Sequence, residues 1–207
     1  MLPALWRTDG SLGTNHLAHF LFFQLLKPAL LASATTDFPS RVVSLTSFGH
    51  RMGPVHFGDY NFTKEAYTPW AGYGQSKTAN IYFANQTERL YGSKNLHSTS
   101  VHPGGIMTGL QIHVPEFDGL AKDPSVNWYM KNVEQGAATS VYAALSEEWK
   151  DKGGRYLSDC QEMGPFKGEN PMQTGDDGYA PYAYDQAAEE RLWHDSLEMV
   201  GLRADEI

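Results

Sequence analysis

Tyr73-Gly74-Gln75-Ser76-Lys77 is the stretch from which the rest of the chain can be read. A Tyr and a Lys four residues apart stand on one face of a helix, one turn from each other. An ammonium at that spacing favours the phenolate, so the sequence predicts a Tyr73 pKa below the ordinary phenol value and proton exchange nearer neutral pH. Such a pair serves as an acid/base device for carbonyl chemistry. Tyr and Lys also meet by chance in many helices, so the neighbouring segments decide.

Upstream, Arg41-Val42-Val43-Ser44-Leu45-Thr46-Ser47 has the β-branched content of a strand and ends at Phe48-Gly49. A hydroxyl at the C-terminal end of a parallel strand faces the crevice in which such sheets bind ligands, which singles out Ser47. Further upstream, Gly13-Thr14-Asn15-His16-Leu17 opens a long apolar helix with Asn15 in its first turn. Downstream, Ser98-Thr99-Ser100-Val101-His102 runs as a strand into Pro103-Gly104-Gly105-Ile106-Met107-Thr108, where the glycines let backbone approach a flat ligand.

With these pieces in order, the chain resembles the short-chain dehydrogenase/reductase family, and within it the retinol-dehydrogenase-like members of fungal type. The motifs are TNHLAHF around Asn15, RVVSLTS ending at Ser47, YGQSK with Tyr73 and Lys77, and HPGGIMT. EQGAATSVYAAL (134–145) and GGRYLSDC (153–160) extend the likeness over most of the chain. The resemblance implies catalytic roles for four residues. Tyr73 is the general acid/base, Ser47 holds the substrate oxygen, Lys77 tunes Tyr73 and binds the nicotinamide ribose, and Asn15 supports a proton relay. It also implies a cofactor, NADP or NAD, held by Tyr73, Lys77 and the turn Pro103, Gly104, Gly105, Ile106 and Thr108. The expected activity is oxidoreduction of a lipophilic alcohol or ketone.

The family's Gly-rich turn, which seats the pyrophosphate on a helix N-terminus, has no counterpart here: no Gly-x-Gly-x-x-Gly occurs in the 207 residues. The expectation is therefore a single α/β domain over 1–207, the C-terminal half of a Rossmann-like, doubly wound parallel sheet that keeps about three strands. These fall near 41–47, 98–102 and 154–158, with flanking helices. On this view the chain is N-terminally truncated, and the strand ending at Ser47 exposes an edge bearing Val42, Val43 and Leu45. If the truncation is genuine, the cofactor is absent. The same residues would then suit a non-redox isomerase, dehydratase or cyclase of secondary metabolism, or a non-catalytic pseudoenzyme.

Composition sets outer limits. Hydrophobic content of 41% with 13% aromatics belongs to a globular chain. A formal charge of −8 without a Lys/Arg cluster argues against a nucleic-acid partner. A single cysteine, Cys160, points to a reducing, cytoplasmic setting and to a small packed residue. The most apolar run, Leu17–Leu31, is interrupted by His19, Gln24, Lys27 and Pro28 and is too broken to span a membrane. The family resemblance implies a homodimer through the helices at 13–33 and 71–92.

Other features have plainer explanations. His16 and His19 share a helix face without a further ligand, so packing is expected rather than a metal site. His50 and His102 flank the crevice as candidate proton carriers or ordinary loop histidines. Asp176-Asp177 reads as a solvated pair in a Gly-rich loop. The aromatic loop at 49–70 and the apolar residues Ile112, Val114, Phe117 and Leu120 suit either a lipophilic pocket or packing of a lid. Helices are expected near 134–147 and 185–200.

Overall fold

A computed structural model describes residues 10–109 and 127–203. Ile112, Val114, Phe117 and Leu120 lie outside the described residues, as do residues 1–9.

Helix α1 comprises Gly10–Leu12 and Ala18–Ser33, joined without a break by a π-helical turn, Gly13–Leu17. Strand β1 (Ser40–Leu45) leads into a 3₁₀ turn, Phe48–Met52, and then to α2 (Pro69–Tyr91). Strand β2 (Leu96–His102), the short pair β3 (Gly105–Ile106) and β4 (Met130–Lys131), and helix α3 (Val133–Leu145) follow. The chain closes with β5 (Tyr156–Ser158), β6 (Gln161–Glu162) and α4 (Gln186–Met199). Local chemistry sets the helix starts. Thr68 accepts a hydrogen bond from the Ala71 amide with Pro69 at the first helical position. Asn132 and Gln135 form a reciprocal capping box on α3, and Asp185 caps α4.

The main sheet runs β1-β2-β5-β6, parallel through the first three strands, with β6 antiparallel at the end. It is doubly wound, and two adjacent residues of β1 show why. Val42 packs with Phe20, Phe23, Phe83, Leu96, Trp193 and Leu197, a cluster built from α1, α2 and α4. Val43 packs with Val101, Ala143, Trp149 and Leu157 on the side of α3. Successive strand residues point to opposite faces, so both faces of the sheet are covered by helices. The three parallel strands and four main helices match the expected α/β half-sheet. The β6 hairpin and the β3–β4 pair are additions that short, weakly patterned segments did not signal.

Among the described residues β1 is the outer strand of the sheet, as expected, and Leu45 at its end is 49% exposed. Helix α1 also presents Phe22 (60% exposed) and Leu25 (68%) to solvent. No helix among the described residues is long and apolar enough to cross a membrane. Pro28 sits inside α1 without ending it.

Two side chains depart from expectation. Cys160 is exposed, at a positive φ of 54° in the tight β5–β6 turn, instead of packed. Asp177 is buried instead of solvated, accepting hydrogen bonds from Tyr129 and Ser158. His16 behaves as expected of a packing residue: it is buried, and its Nε2 lies 2.8 Å from the Ser196 hydroxyl.

Burial pulls His16 down to about 4 and both His50 and His102 down to about 3, so all three are neutral in the folded chain at neutral pH. The unfolded chain binds their protons near pH 6.5, so below that value it holds more protons than the fold and stability falls with acidification. Unfolding near pH 5 should therefore take up close to three protons from these side chains, read from the slope of stability against pH. A flat stability between pH 7 and pH 5 would show that these rings are not withdrawn from water.

Candidate active site

The site forms where the end of β1 meets the first turns of α2. Three side-chain bonds fix the register. Ser44 Oγ donates to the Asn80 carbonyl at 3.0 Å, Thr46 Oγ1 donates to the Lys77 carbonyl at 2.7 Å, and Asn80 Nδ2 donates to the Leu45 carbonyl at 2.8 Å. Ser44 and Thr46 are alternate residues of the strand, so one face of β1 grips α2 at successive points. Ser47 is carried just past the strand to the N-cap of the Phe48–Met52 turn, where its Oγ accepts from the Gly49 amide at 3.1 Å.

That acceptor bond leaves the Ser47 hydroxyl proton free, and Ser47 Oγ and the Tyr73 ring both border the space over Gly49. The approach depends on two missing side chains. A Cβ on Gly49 would sit 2.5 Å from Tyr73 Cε1, and a Cβ on Gly74 would sit 3.0 Å from the Gly49 carbonyl oxygen and 2.9 Å from Met52 Cβ. Gly49 and Gly74 therefore let the helix lie directly on the turn. Gly49→Ala should rotate the Tyr73 ring and cost about 1–3 kcal/mol of stability through overpacking. The Tyr73 ring ¹H–¹³C shifts report it; unchanged shifts would show that the ring is not seated on Gly49.

The charge states differ from the sequence expectation. Burial raises the Tyr73 hydroxyl above the ordinary phenol value, and the hydrogen bond from Ser47 offsets this only in part. Lys77 does not bring it down: its ammonium lies 5.6 Å from the centre of the Tyr73 ring, over the ring and not at the oxygen. Burial instead pulls Lys77 itself down to about 8. Tyr73 is thus a protonated hydroxyl at neutral pH, and Lys77 is the group whose charge changes nearest to it. Among the described residues Lys77 Nζ makes one hydrogen bond, to the Leu45 carbonyl at 3.3 Å. An ammonium carries three donors.

Asn15 reaches the same helix by another route. It lies in the π-helical turn of α1, a distortion frequent at functional sites, and its Nδ2 donates to Ser76 Oγ at 3.0 Å. Ser76 in turn donates to the Tyr73 carbonyl at 2.8 Å. Asn15 therefore braces the turn that bears Tyr73. His50 and His102 do not act as proton carriers: His50 Nδ1 lies 2.6 Å from the Ser47 carbonyl while its Nε2 accepts from the Ala180 amide, and His102 is fully enclosed.

The Pro103–Thr108 turn is shaped for close approach. Gly104 has φ +95°, and a Cβ there would fall 2.6 Å from Lys131 Cδ. Lys131 also donates to the Pro103 carbonyl at 3.4 Å and pairs with Asp159. Gly105 and Ile106 pair with Met130 and Lys131 as β3–β4. Gly49, Tyr129 and Asp177 shape this region without a sequence signal. Their contacts are long-range, and only the Gly49 position, two residues after Ser47, was near a recognised motif. Among the described residues no cluster of His, Cys, Asp and Glu is arranged to hold a metal.

Comparison with known proteins gives consistent likenesses. No family model matches the sequence. The chain is 45% identical over 196 residues to a protein of Penicillium roqueforti named short-chain dehydrogenase/reductase prx1, covering 94% of this chain and 56% of that one. It is 32% identical to human retinol dehydrogenase 13, covering 96% of this chain and 57% of the relative. A solved structure of an uncharacterized Mycobacterium paratuberculosis protein superposes with TM-score 0.64 at 26% identity, over 95% of this chain and 60% of that one. The chain thus spans just over half the length of the curated relatives it matches.

Proposed function

This chain belongs to the short-chain dehydrogenase/reductase family, and from that premise we propose that Ser47, Tyr73, Lys77 and Asn15 serve oxidoreduction of a lipophilic alcohol or ketone with NADP or NAD. The observation that supports it most is that Ser47 Oγ and the Tyr73 ring both border Gly49, with the Lys77 ammonium over the ring. In the reducing direction Tyr73 gives its proton to the carbonyl oxygen as that oxygen gains negative charge. The Ser47 hydroxyl, whose lone pair is occupied by the Gly49 amide, donates a hydrogen bond to the same oxygen. Lys77 holds positive charge beside Tyr73 after the proton has left, and Asn15 keeps the Tyr73 turn in place through Ser76.

The dinucleotide, when bound, supplies or accepts the hydride. The residues present fit one end of it. Lys77 has donors to spare for ribose hydroxyls, and the space beside Gly104 is taken by the Lys131 side chain. For the pyrophosphate the sequence contains no Gly-x-Gly-x-x-Gly. The exposed Phe22 and Leu25 on α1 support a homodimer through α1 and α2. The single cysteine supports a reducing, cytoplasmic setting.

Titration of the purified chain with NADPH and NADH, followed by fluorescence and calorimetry, tests this function. Saturable binding that weakens on Lys77→Ala is expected. No binding at millimolar dinucleotide would remove the redox function from this chain. Exchange of α-hydrogens of a ketone for deuterium, lost in Tyr73→Phe, would then point to acid/base chemistry without hydride.

A further inference from the structure

The geometry points to His102 as a positioning residue that holds the Ser47 turn and the Pro103–Ile106 turn at a fixed spacing, its ring held in place by Tyr129 and Asp177. Its position at the end of β2 puts the ring between the two turns that border the site. His102 Nδ1 accepts from the Phe48 amide at 3.3 Å and from the Gly104 amide at 3.4 Å. One nitrogen lone pair thus ties the residue after Ser47 to the positive-φ glycine of the Pro103–Ile106 turn. Both donors are backbone N–H groups, so Nδ1 cannot carry a proton, and the ring's hydrogen must be on Nε2.

That hydrogen has a defined destination. Nε2 lies 3.1 Å from the Tyr129 hydroxyl, which donates its own proton to Asp177 Oδ1, while Ser158 Oγ donates to Asp177 Oδ2 at 2.6 Å. Every proton in the sequence Gly104/Phe48–His102–Tyr129–Asp177–Ser158 is therefore assigned, with no alternative direction that keeps all the bonds. Asp177 is buried, and it belongs to the loop between β6 and α4, far along the chain from either turn. Tyr129 immediately precedes β4, which pairs with the Pro103–Ile106 turn. The loop thus holds Tyr129, and Tyr129 holds the histidine that spaces the two turns. The histidine lock stands on this geometry alone. Its consequence for dinucleotide binding rests on the function proposed above.

The experiment combines amide exchange with ¹⁵N spectroscopy on the intact chain. His102→Phe keeps a ring but removes the acceptor, and the Phe48 and Gly104 amides should exchange about 2- to 10-fold faster, the worth of one lost hydrogen bond. Ser100, in the interior of β2, should stay protected. Tyr129→Phe covers the case in which the first variant does not fold. There the Nε2–H tautomer should persist, since the two amides still need an unprotonated Nδ1, but the Nε2 shift should move as its hydrogen loses its acceptor, with partial loss of protection at the same two amides. Asp177→Asn, which can still accept from Tyr129, should restore the wild-type ¹⁵N pattern that Asp177→Ala loses. Unchanged His102 ¹⁵N shifts in Tyr129→Phe, or exchange that rises equally at Ser100, Phe48 and Gly104, would overturn the lock. Dinucleotide affinity, measured on the same samples, should fall in His102→Phe. Absence of dinucleotide binding in the wild type would count against the proposed function and leave the exchange result to decide the lock.

Discussion

Tyr73→Phe should lower turnover by about 10²–10⁴-fold, the range over which a positioned general acid contributes, while leaving the fold nearly unchanged. The two effects separate because the hydroxyl does little for packing. The ring seats against Gly49 and stands edge-on to Trp70 at 6.0 Å between centroids, and both contacts survive loss of the oxygen. Ser47 keeps its bond from the Gly49 amide. Stability should therefore shift by less than about 1 kcal/mol, measured by urea unfolding beside the rate. Binding of any dinucleotide should persist, since Lys77 and the Gly104 turn are untouched. If the rate survives in a well-folded Phe variant, the proton comes from elsewhere and the assignment of Tyr73 fails.

Lys77→Met should produce opposite signs in the two measurements: a more stable protein and a nearly inactive one. The ammonium is half-buried over a tyrosine ring and, among the described residues, has a carbonyl for a partner and no carboxylate. Its pKa falls from 10.5 to about 8 because burial disfavours the charge. At neutral pH that cost is borne in full by the folded state. Between about pH 8 and 10.5 the unfolded chain binds more protons than the folded one, so stability must rise with pH across that window. The Met variant, with a similar stem and no charge, should show a higher melting temperature at pH 7 and no such rise. Comparing the two proteins between pH 7 and about pH 9.5 isolates this side chain from other lysines and tyrosines. Equal slopes would show that Lys77 is solvated. A destabilising charge retained beside a reactive hydroxyl is expected where function and stability conflict.

Most of the architecture was readable in the sequence, because the relevant signals are local. β-Branched strands and the helical spacing of α2 and α4 determine elements within a few residues, and the strand and helix limits agree within three residues. The four residues proposed as the acid/base set were likewise visible as motifs, and the structure brings Ser47, Tyr73 and Lys77 together and joins Asn15 through Ser76. The direction of the Tyr73 shift was not readable. Helical spacing gives the proximity of Lys77 to Tyr73 but not whether the ammonium meets the oxygen or the ring, and burial depends on the whole fold. Asp177 was misjudged for a related reason. A Gly-rich loop looks solvated from its composition, and only the packing against Tyr129 and Ser158 shows that one of its two aspartates is enclosed.

The contact between Gly49, Gly74 and the Tyr73 ring limits how this pocket can be redesigned. The floor beneath the reactive hydroxyl is made of backbone, with no side chain left to shorten and no space in which to lengthen one. A variant library aimed at that floor would consist mostly of inactive members. Space beside the ring can be gained only at Trp70, which is 41% exposed, and at the cost of its edge-on contact with Tyr73.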